Sequence, residues 1–381
     1  MALLEDFSRD FRKDFAEIII FTPKIFPFSE NVEVRRELEF PYSFLFRRKN
    51  SVLFKFEAFF YRNWFRIKYI FSKDPIQETI NKNLEELFQK FGINENDTIF
   101  FPSSDYYGCK AILDLINKKG KTGFPVVNFR LIAVAEFYRF SKKFGQKKLD
   151  NSIFKVLKEG ILANPNLIKL SCETMEYQRF LKEQGLNAFF FPSPVKVSYK
   201  LIAPHRPLRI VFPGNARKDK GYFQILDIAN YCLSNSTNTD FEFYVQSMEP
   251  ACIDYSSDYE LKLKNHPNIQ LVDQHLSSTD FEELLKSADL FVLPYDKKIY
   301  KYRGSAILQR AIENKVEVIT YSGLGFSDLV ERYKVGFCCE SFISLKKNLC
   351  FYLNNPAGKT MIRVSRLSED YKKGKDEFLK C

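Results

Sequence analysis

The run Arg209 to Phe223, RIVFPGNARKDKGYF, constrains this chain more than any other stretch. Ile210, Val211, Phe212 and Pro213 lead into Gly214, a short basic loop follows, and Gly221 opens an amphipathic helix carrying Phe223, Leu226, Ile228 and Ala229. A short apolar run bounded by turn residues reads as a buried strand. A buried strand that ends in glycine and turns into a helix gathers backbone N–H groups and positive charge at one point, which favours phosphate. Lys220 is the leading phosphate ligand, because it sits immediately before Gly221 at the helix entry. Arg217 is the second, its fork suiting paired phosphate oxygens. A solvated basic turn is the alternative reading of the same residues.

Size and composition narrow the class. At 381 residues the chain exceeds the size at which single cores stop growing, so two domains are expected. Hydrophobic residues at 45% and charged residues at 28% are globular proportions, and 40 Phe with 20 Tyr supply two substantial cores. No run reaches the length of about 18 apolar residues that a membrane span needs, and the N-terminus lacks the continuous apolar segment of a signal peptide. The eight cysteines form no CxxC and only His205, His266 and His275 are present, so no zinc spacing exists and no metal is expected. Scattered cysteines suit a reducing compartment, and the expected location is cytoplasmic. The net charge of +11 favours anionic partners, including the headgroups of an anionic membrane. No recognisable nucleic-acid module accompanies the charge, so nucleic acid is not expected as a partner.

Strands and helices alternate in both halves. The first half reads as strands at Ala16 to Phe21, Thr98 to Phe101, Phe124 to Phe129, Leu167 to Cys172 and Ala188 to Phe191. Helices are expected over Pro75 to Phe91, through Ala111 to Ile116, over Ser152 to Leu162 and over Glu173 to Gln184. Phe56 to Phe71, aromatic and basic, is either a core helix or a patch facing a membrane or acceptor. The proline-bearing stretch Ser193 to Pro207 marks the boundary. Strands then recur at Leu208 to Phe212, Phe241 to Gln246, Ile269 to Val272, Leu290 to Leu293 and Glu317 to Thr320. Helices between them include Asp280 to Ser287 and Ala306 to Glu313, and Phe351 to Leu379 is a Lys-rich tail of one or two helices. This alternation predicts parallel sheets covered by helices, with ligands at the carboxyl ends of the strands. The expected domains are residues 1–198, a linker at 199–207, 208–360, and a helical tail at 361–381, with a cleft between the two α/β halves.

A second set of residues points to the same chemistry. After the strand at Leu290 to Leu293, Pro294 ends it and Tyr295 to Tyr302 form a polar aromatic loop. Arg303, Gly304, Ser305 and Ala306 then open a helix whose N–H groups can hold a phosphate or a sugar, with Ser305 as its cap. Tyr321 to Gly325 is a further carboxyl-end loop. Tyr295 and Tyr300 either stack on a sugar or base, or pack the loop. In the first half, Asp105 with Ser103 and Ser104, Arg130 and Glu136 are possible cleft-facing groups, and each also reads as ordinary structure. The three histidines read as structural or solvated.

The second half, Leu208 to Gly336, resembles the nucleotide-sugar domain of the retaining glycosyltransferases of family 4, which have the GT-B fold of two Rossmann-like domains. In that family a strand leads into a glycine loop ending in glutamate, lysine and glycine. Asp219, Lys220 and Gly221 fill those places here, and the resemblance implies that Lys220 meets the donor diphosphate. Asn215 stands where the family has an arginine after the first glycine, with Arg217 two residues on as its substitute. Ala288 to Tyr295 resembles the segment before the donor loop. Tyr300, Arg303, Gly304, Ser305 and Ala306 resemble a subgroup variant in which backbone amides meet the donor's phosphate and sugar.

Three positions depart from the pattern. Arg310 stands where a glutamate usually grips the nucleotide ribose, Tyr302 replaces the partnered glutamate at the loop start, and Glu317 replaces a proline. Either the donor is held differently, through Glu313 or the polar loops, or activity has been lost. The resemblance implies a hexosyltransferase moving a mannose- or glucose-type sugar from a nucleoside diphosphate to a hydroxyl of a glycan or glycolipid. No cofactor is needed beyond that donor substrate. Lys220 and Arg217 are the expected catalytic cations. Gly214, Asn215, Gly221, Tyr300, Arg303, Gly304, Ser305, Ala306 and Arg310 complete the expected donor site. A non-catalytic nucleotide-sugar or glycan-binding subunit is the alternative.

Overall fold

The computed structural model describes residues 74–133, 138–140, 147–149, 151–194, 204–250, 252, 254–356 and 364–380, together with 7, 10–12, 14–15, 17–21 and 33–35. The expected aromatic stretch Phe56 to Phe71, the candidate Glu136 and positions 199–203 of the expected linker lie outside them. The chain divides into two compact units. The first comprises Met1–Glu173, Gln178–Phe191 and Lys373–Cys381, the second Thr174–Tyr177 and Pro192–Lys372.

In the first unit, short strands β1 (Ile19–Phe21) and β2 (Glu33–Arg35) pair in parallel. Helix α1 (Pro75–Lys90) begins where Asp74 accepts the Gln77 N–H at 3.2 Å and Pro75 supplies a first helical residue that needs no donor. Strand β3 (Thr98–Phe101) feeds α2 (Tyr106–Lys119), which is capped by Asp105 accepting from Gly108 N–H at 2.7 Å. Then come β4 (Val126–Leu131), the antiparallel pair β5 (Tyr138–Phe140) and β6 (Lys147–Leu149), α3 (Asn151–Leu162), β7 (Ile168–Cys172), α4 (Met175–Glu183) and β8 (Ala188–Phe190). Strands β3, β4, β7 and β8 form one parallel sheet in that order.

Three expected first-half groups have structural places. Arg130 is 1% exposed and donates to the Phe191 and Pro102 carbonyls, with its guanidinium 3.3 Å from Glu173. It is a satisfied buried cation, not a surface group awaiting an anionic acceptor. Asp105 is spent on its cap, and Ser104 is buried with its hydroxyl on the Phe101 carbonyl.

The second unit is built on a six-stranded parallel sheet. Its elements are β9 (Leu208–Phe212), α5 (Ile225–Asn235), β10 (Phe241–Gln246), α6 (Ser257–Lys264), β11 (Ile269–Val272), α7 (Ser278–Lys286), β12 (Leu290–Leu293), α8 (Ala306–Asn314), β13 (Glu317–Tyr321), α9 (Ser327–Arg332), β14 (Gly336–Cys339) and α10 (Phe342–Asn354), followed by α11 (Val364–Leu379), of which the residues from Lys373 onward count with the first unit. The sheet order is β11-β10-β9-β12-β13-β14, with all neighbours parallel. The apolar run of β12 is buried along its whole length, as is β13, Glu317 and Thr320 included, as a sheet covered on both faces requires. Edge strand β11 is buried only at its start. Numbered within the unit, the order is 3-2-1-4-5-6, so the sheet reverses direction between β9 and β12. That is the switch point at which open α/β sheets leave a crevice at their carboxyl ends. Among the described residues no helix is long and apolar enough to cross a membrane.

Candidate functional site

A hollow lies at this switch point. Its lining comes from the end of β9 and the loop after it, Phe212 to Arg217, and from Lys220, Tyr222 and Ile225. Val245 and Gln246 of β10, Val292 of β12 and Tyr295 beyond it complete the wall. Of the expected site residues, Gly214, Asn215, Arg217 and Lys220 are thus brought together. All of these residues belong to the second unit.

The loop is shaped by two glycines. Gly214 has φ +97°, and a Cβ there would lie 2.5 Å from Lys220 Nζ, so the bare backbone makes room for the ammonium. Lys218–Lys220 coil into one 3-10 turn, closed by Lys220 N–H on the Arg217 carbonyl at 3.0 Å and Gly221 N–H on Lys218 at 3.0 Å. Gly221 adopts φ +77° and packs so tightly that a Cβ would stand 2.3 Å from the Pro294 carbonyl oxygen. A second 3-10 turn, Tyr222–Gln224, leads into α5, so the helix proper starts at Ile225 and leaves Phe223 in the turn. Between Asn215 and Asp219 the backbone N–H groups have no acceptor among the described residues. Such a run of free donors favours an anion.

Lys220 sits over the Tyr295 ring, Nζ 5.7 Å from its centroid, and takes no hydrogen-bond acceptor among the described residues. Burial, with the Arg217 charge as a second cause, pulls its pKa down to about 8, against a smaller upward pull from Asp219. An ammonium held out of water beside another cation is unfavourable, and a dianionic ligand would relieve that cost.

Arg217 is half-exposed and already engaged. It donates to Asp219 at 2.8 Å and to the Tyr300 hydroxyl at 2.9 Å. Asp219 also accepts the Asp296 N–H through its carbonyl at 2.9 Å, tying the glycine loop to the loop after β12. Tyr300 packs on Tyr295 at 4.6 Å between centroids and lies under the Arg303 guanidinium at 5.5 Å. Burial raises the Tyr300 and Tyr295 phenols above their ordinary range, so both stay neutral at physiological pH. Gly325 fits against the backbone of Tyr302 and Arg303, and its N–H donates to the Tyr300 carbonyl at 2.8 Å. Tyr302 stacks at 5.8 Å on Tyr177, and the Thr174 hydroxyl bonds its carbonyl at 2.9 Å.

Other expected positions stand apart from the hollow. Ser305 caps α8, accepting the Leu308 N–H at 3.3 Å, so Gly304, Ser305 and Ala306 do stand at a helix start. None of the three, nor Arg303 or Tyr300, lines the hollow itself. Arg310 faces α7 and its own helix, with Glu282 at 3.2 Å and Glu313 at 2.7 Å. Glu313 is buried and held by that pairing, so neither residue is placed as a free ribose contact at the hollow. The histidines lie elsewhere: His205 on Asp289 at 3.1 Å, His266 buried before Asn268, and His275 on exposed backbone.

Two residues lining the hollow, Gln246 and Tyr222, escape a reading of motifs. Gln246 ends β10 inside the wall, 5% exposed, and its Oε1 has no hydrogen-bond partner among the described residues. Tyr222 bonds Glu260 of α6, and the same carboxylate accepts the Met248 N–H at 2.6 Å, fixing the turn after β10. The sequence signal for Gln246 is a polar residue closing an otherwise apolar strand at the carboxyl end of a parallel sheet.

No protein-family model matches the chain, and no curated protein does. Solved structures do. A glycosyltransferase from Rickettsia africae ESF-5 superposes with a TM-score of 0.56 at 15% identity, over 81% of this chain and 82% of that one. TarM gives a TM-score of 0.54 at 13% identity over 80% of this chain. A UDP-forming α,α-trehalose-phosphate synthase from Burkholderia xenovorans gives 0.51 at 11% identity, over 80% of this chain and 76% of that one. The chain spans 57% of TarM, a little over half its length. These neighbours establish the fold: an α/β chain of the GT-B kind, with two parallel sheets and interleaved helices.

Proposed function

We propose that this chain is a retaining glycosyltransferase of the family 4 kind. In this reading it moves a mannose- or glucose-type sugar from a nucleoside diphosphate to a hydroxyl of a glycan or glycolipid. The observation that carries it is Lys220, a desolvated cation without an acceptor among the described residues, in a glycine-shaped hollow at the sheet's switch point. The GT-B likeness supports the choice of substrate class, and the UDP-forming neighbour makes uridine the first base to try.

The chemistry follows from charge. As the sugar–oxygen bond breaks, negative charge grows on the departing diphosphate. Lys220 and the free N–H groups from Asn215 to Asp219 are fixed in place before the reaction and stabilise that charge without reorganising. Arg217 adds a second cation when it turns from Asp219 towards the ligand, and the Gly304 to Ala306 amides extend the donor site along α8. The acceptor enters on the face the diphosphate leaves, and a phosphate oxygen takes its proton, so no histidine base is used. The protein works in the cytoplasm and meets an anionic membrane peripherally, consistent with its net charge of +11.

Release of nucleoside diphosphate from UDP-glucose, GDP-mannose and related donors tests this, with glycan and glycolipid acceptors added in turn. Turnover that Lys220→Ala abolishes supports the reading. Wild-type turnover in that variant refutes the role of Lys220. One observation favours a second reading, a binding subunit without turnover: Arg310, in the usual glutamate position, is committed to Glu282 and Glu313. Donor binding with no turnover under any acceptor would select it.

A further inference from the structure

Lys220 explains how the hollow meets charge, but not why its wall contains a buried amide. Gln246 is buried, at 5% exposed, and its Oε1 has no hydrogen-bond partner among the described residues. Desolvating a carboxamide oxygen without a partner is costly, and an apolar residue of the same shape would avoid that cost. Of the residues lining the hollow, Val245, Ile225 and Val292 are aliphatic and the Tyr222 hydroxyl is spent on Glu260, while the N–H-bearing side chains of Asn215, Arg217 and Lys220 make no hydrogen bond to the amide oxygen. The Glu260 carboxylate also holds Met248, two residues on, so the strand end that carries Gln246 is anchored.

Sheet order places this amide relative to Lys220. Gly214 follows β9 and Tyr295 follows β12, and Lys220 Nζ lies against both. Gln246 ends β10, the neighbour of β9 on the opposite side from β12. Adjacent strands are about 4.8 Å apart, so the strand end that carries Gln246 lies roughly one strand spacing from the β9 end that leads into the Gly214 loop, on the side away from Tyr295.

We propose that Gln246 is a specificity-determining residue, its Oε1 accepting a hydrogen bond from an uncharged N–H or O–H of the unit attached to the diphosphate. This rests on the reading of the hollow as a nucleotide-sugar site. The donor group is a base N–H or ribose hydroxyl if the nucleoside lies over β10, and a sugar hydroxyl if the transferred sugar does.

The test is calorimetry on the full chain with inorganic pyrophosphate, UDP, GDP, UDP-glucose and GDP-mannose, using wild type, Gln246→Leu and Lys220→Ala. Gln246→Leu is expected to weaken its preferred conjugate about tenfold while leaving pyrophosphate affinity unchanged. Lys220→Ala is expected to weaken both. Loss against UDP or GDP as well as the conjugates puts the contact on the nucleoside. Loss against the conjugates alone puts it on the sugar. A melting temperature for unliganded Gln246→Leu equal to or above wild type excludes a structural origin for the loss. If Gln246→Leu binds every nucleotide as wild type does while Lys220→Ala does not, the inference about Gln246 is wrong and the diphosphate site stands. If Gln246→Leu weakens pyrophosphate as much as nucleotides, or melts well below wild type, the residue supports the hollow's shape and reads nothing. If wild type binds none of the probes, the reading of the hollow falls and the inference with it.

Discussion

A lysine at the edge of ionisation makes ligand binding depend on pH in a calculable way. Burial and Arg217 lower the Lys220 pKa from 10.5 to about 8 in the unliganded protein. A bound diphosphate favours the charged form, so the pKa rises on binding and a proton is taken up wherever the free lysine is neutral. The sign is therefore fixed: affinity is full below about pH 8 and falls as pH rises through that value. With a pKa of about 8, the ammonium fraction drops from about nine-tenths at about pH 7 to about one-tenth at about pH 9. That is a loss of roughly tenfold, or about 1.4 kcal/mol of binding. The titration uses a nucleotide-sugar conjugate, whose diphosphate has no secondary ionisation near neutral pH (about 6 for a terminal phosphate) and so adds nothing to the step. Calorimetry in two buffers of different ionisation enthalpy would count the proton directly, at about half a proton taken up near pH 8. Lys220→Ala should bind weakly and with no such pH step. A wild-type affinity flat between these limits, or an identical step in Lys220→Ala, would refute the assignment of the lysine as the diphosphate ligand.

Other perturbations follow from the same geometry. Because a folded-state pKa below 10.5 means that the charged lysine opposes folding, unliganded Lys220→Met should melt above wild type near neutral pH. That gap should close as pH climbs from about 8 towards 10.5, and differential scanning calorimetry across that window would detect it. Gly221→Ala should destabilise by about 1 kcal/mol from the left-handed backbone alone, and by more from the Pro294 carbonyl. Urea unfolding measures the loss, and donor binding should fall with it. Arg310→Glu should not restore a ribose contact but strip Glu282 and Glu313 of their partner. The expected cost is on the order of 3 kcal/mol because Glu313 is buried. A variant as stable as wild type with tighter nucleotide binding would contradict this.

Much of the fold is legible in the sequence, because parallel strands in covered sheets are short apolar runs with sharp ends. Leu208–Phe212, Phe241–Gln246, Ile269–Val272 and Leu290–Leu293 occur with the bounds their apolar runs predict. Helix ends drifted by a residue or two: Asp280 to Ser287 is Ser278–Lys286, because Ser277 caps it earlier than the apolar spacing starts. Gly336–Cys339 gave no signal, since a four-residue edge strand opening on glycine has neither length nor alternation. The tail reading, Phe351 to Leu379, begins too late. Helix α10 starts at Phe342 behind a Ser341 capping box, and the apolar spacing that follows was hidden by Lys346 and Lys347.

The site was legible where backbone chemistry writes itself into residue type. Gly214 is demanded by Lys220 within the loop and Gly221 by its left-handed backbone and the Pro294 carbonyl, with Lys220 set between them. Long-range partners were not legible. Nothing near Arg217 in the chain announces Tyr300, nothing near Arg310 announces Glu282, and Tyr222 finds Glu260 only through the packing of α6. Gln246 is the instructive case. Its type is that of an ordinary strand end, and only the absence of a hydrogen-bond partner among the described residues gives it meaning.

The most direct test of the central claim is a titration of purified protein with a panel of nucleoside diphosphates and their sugar conjugates, with folded Lys220→Ala alongside. The account predicts selective binding of one base, tighter than inorganic pyrophosphate and lost in the variant. Absence of binding across the panel, or equal binding by wild type and Lys220→Ala, would contradict it.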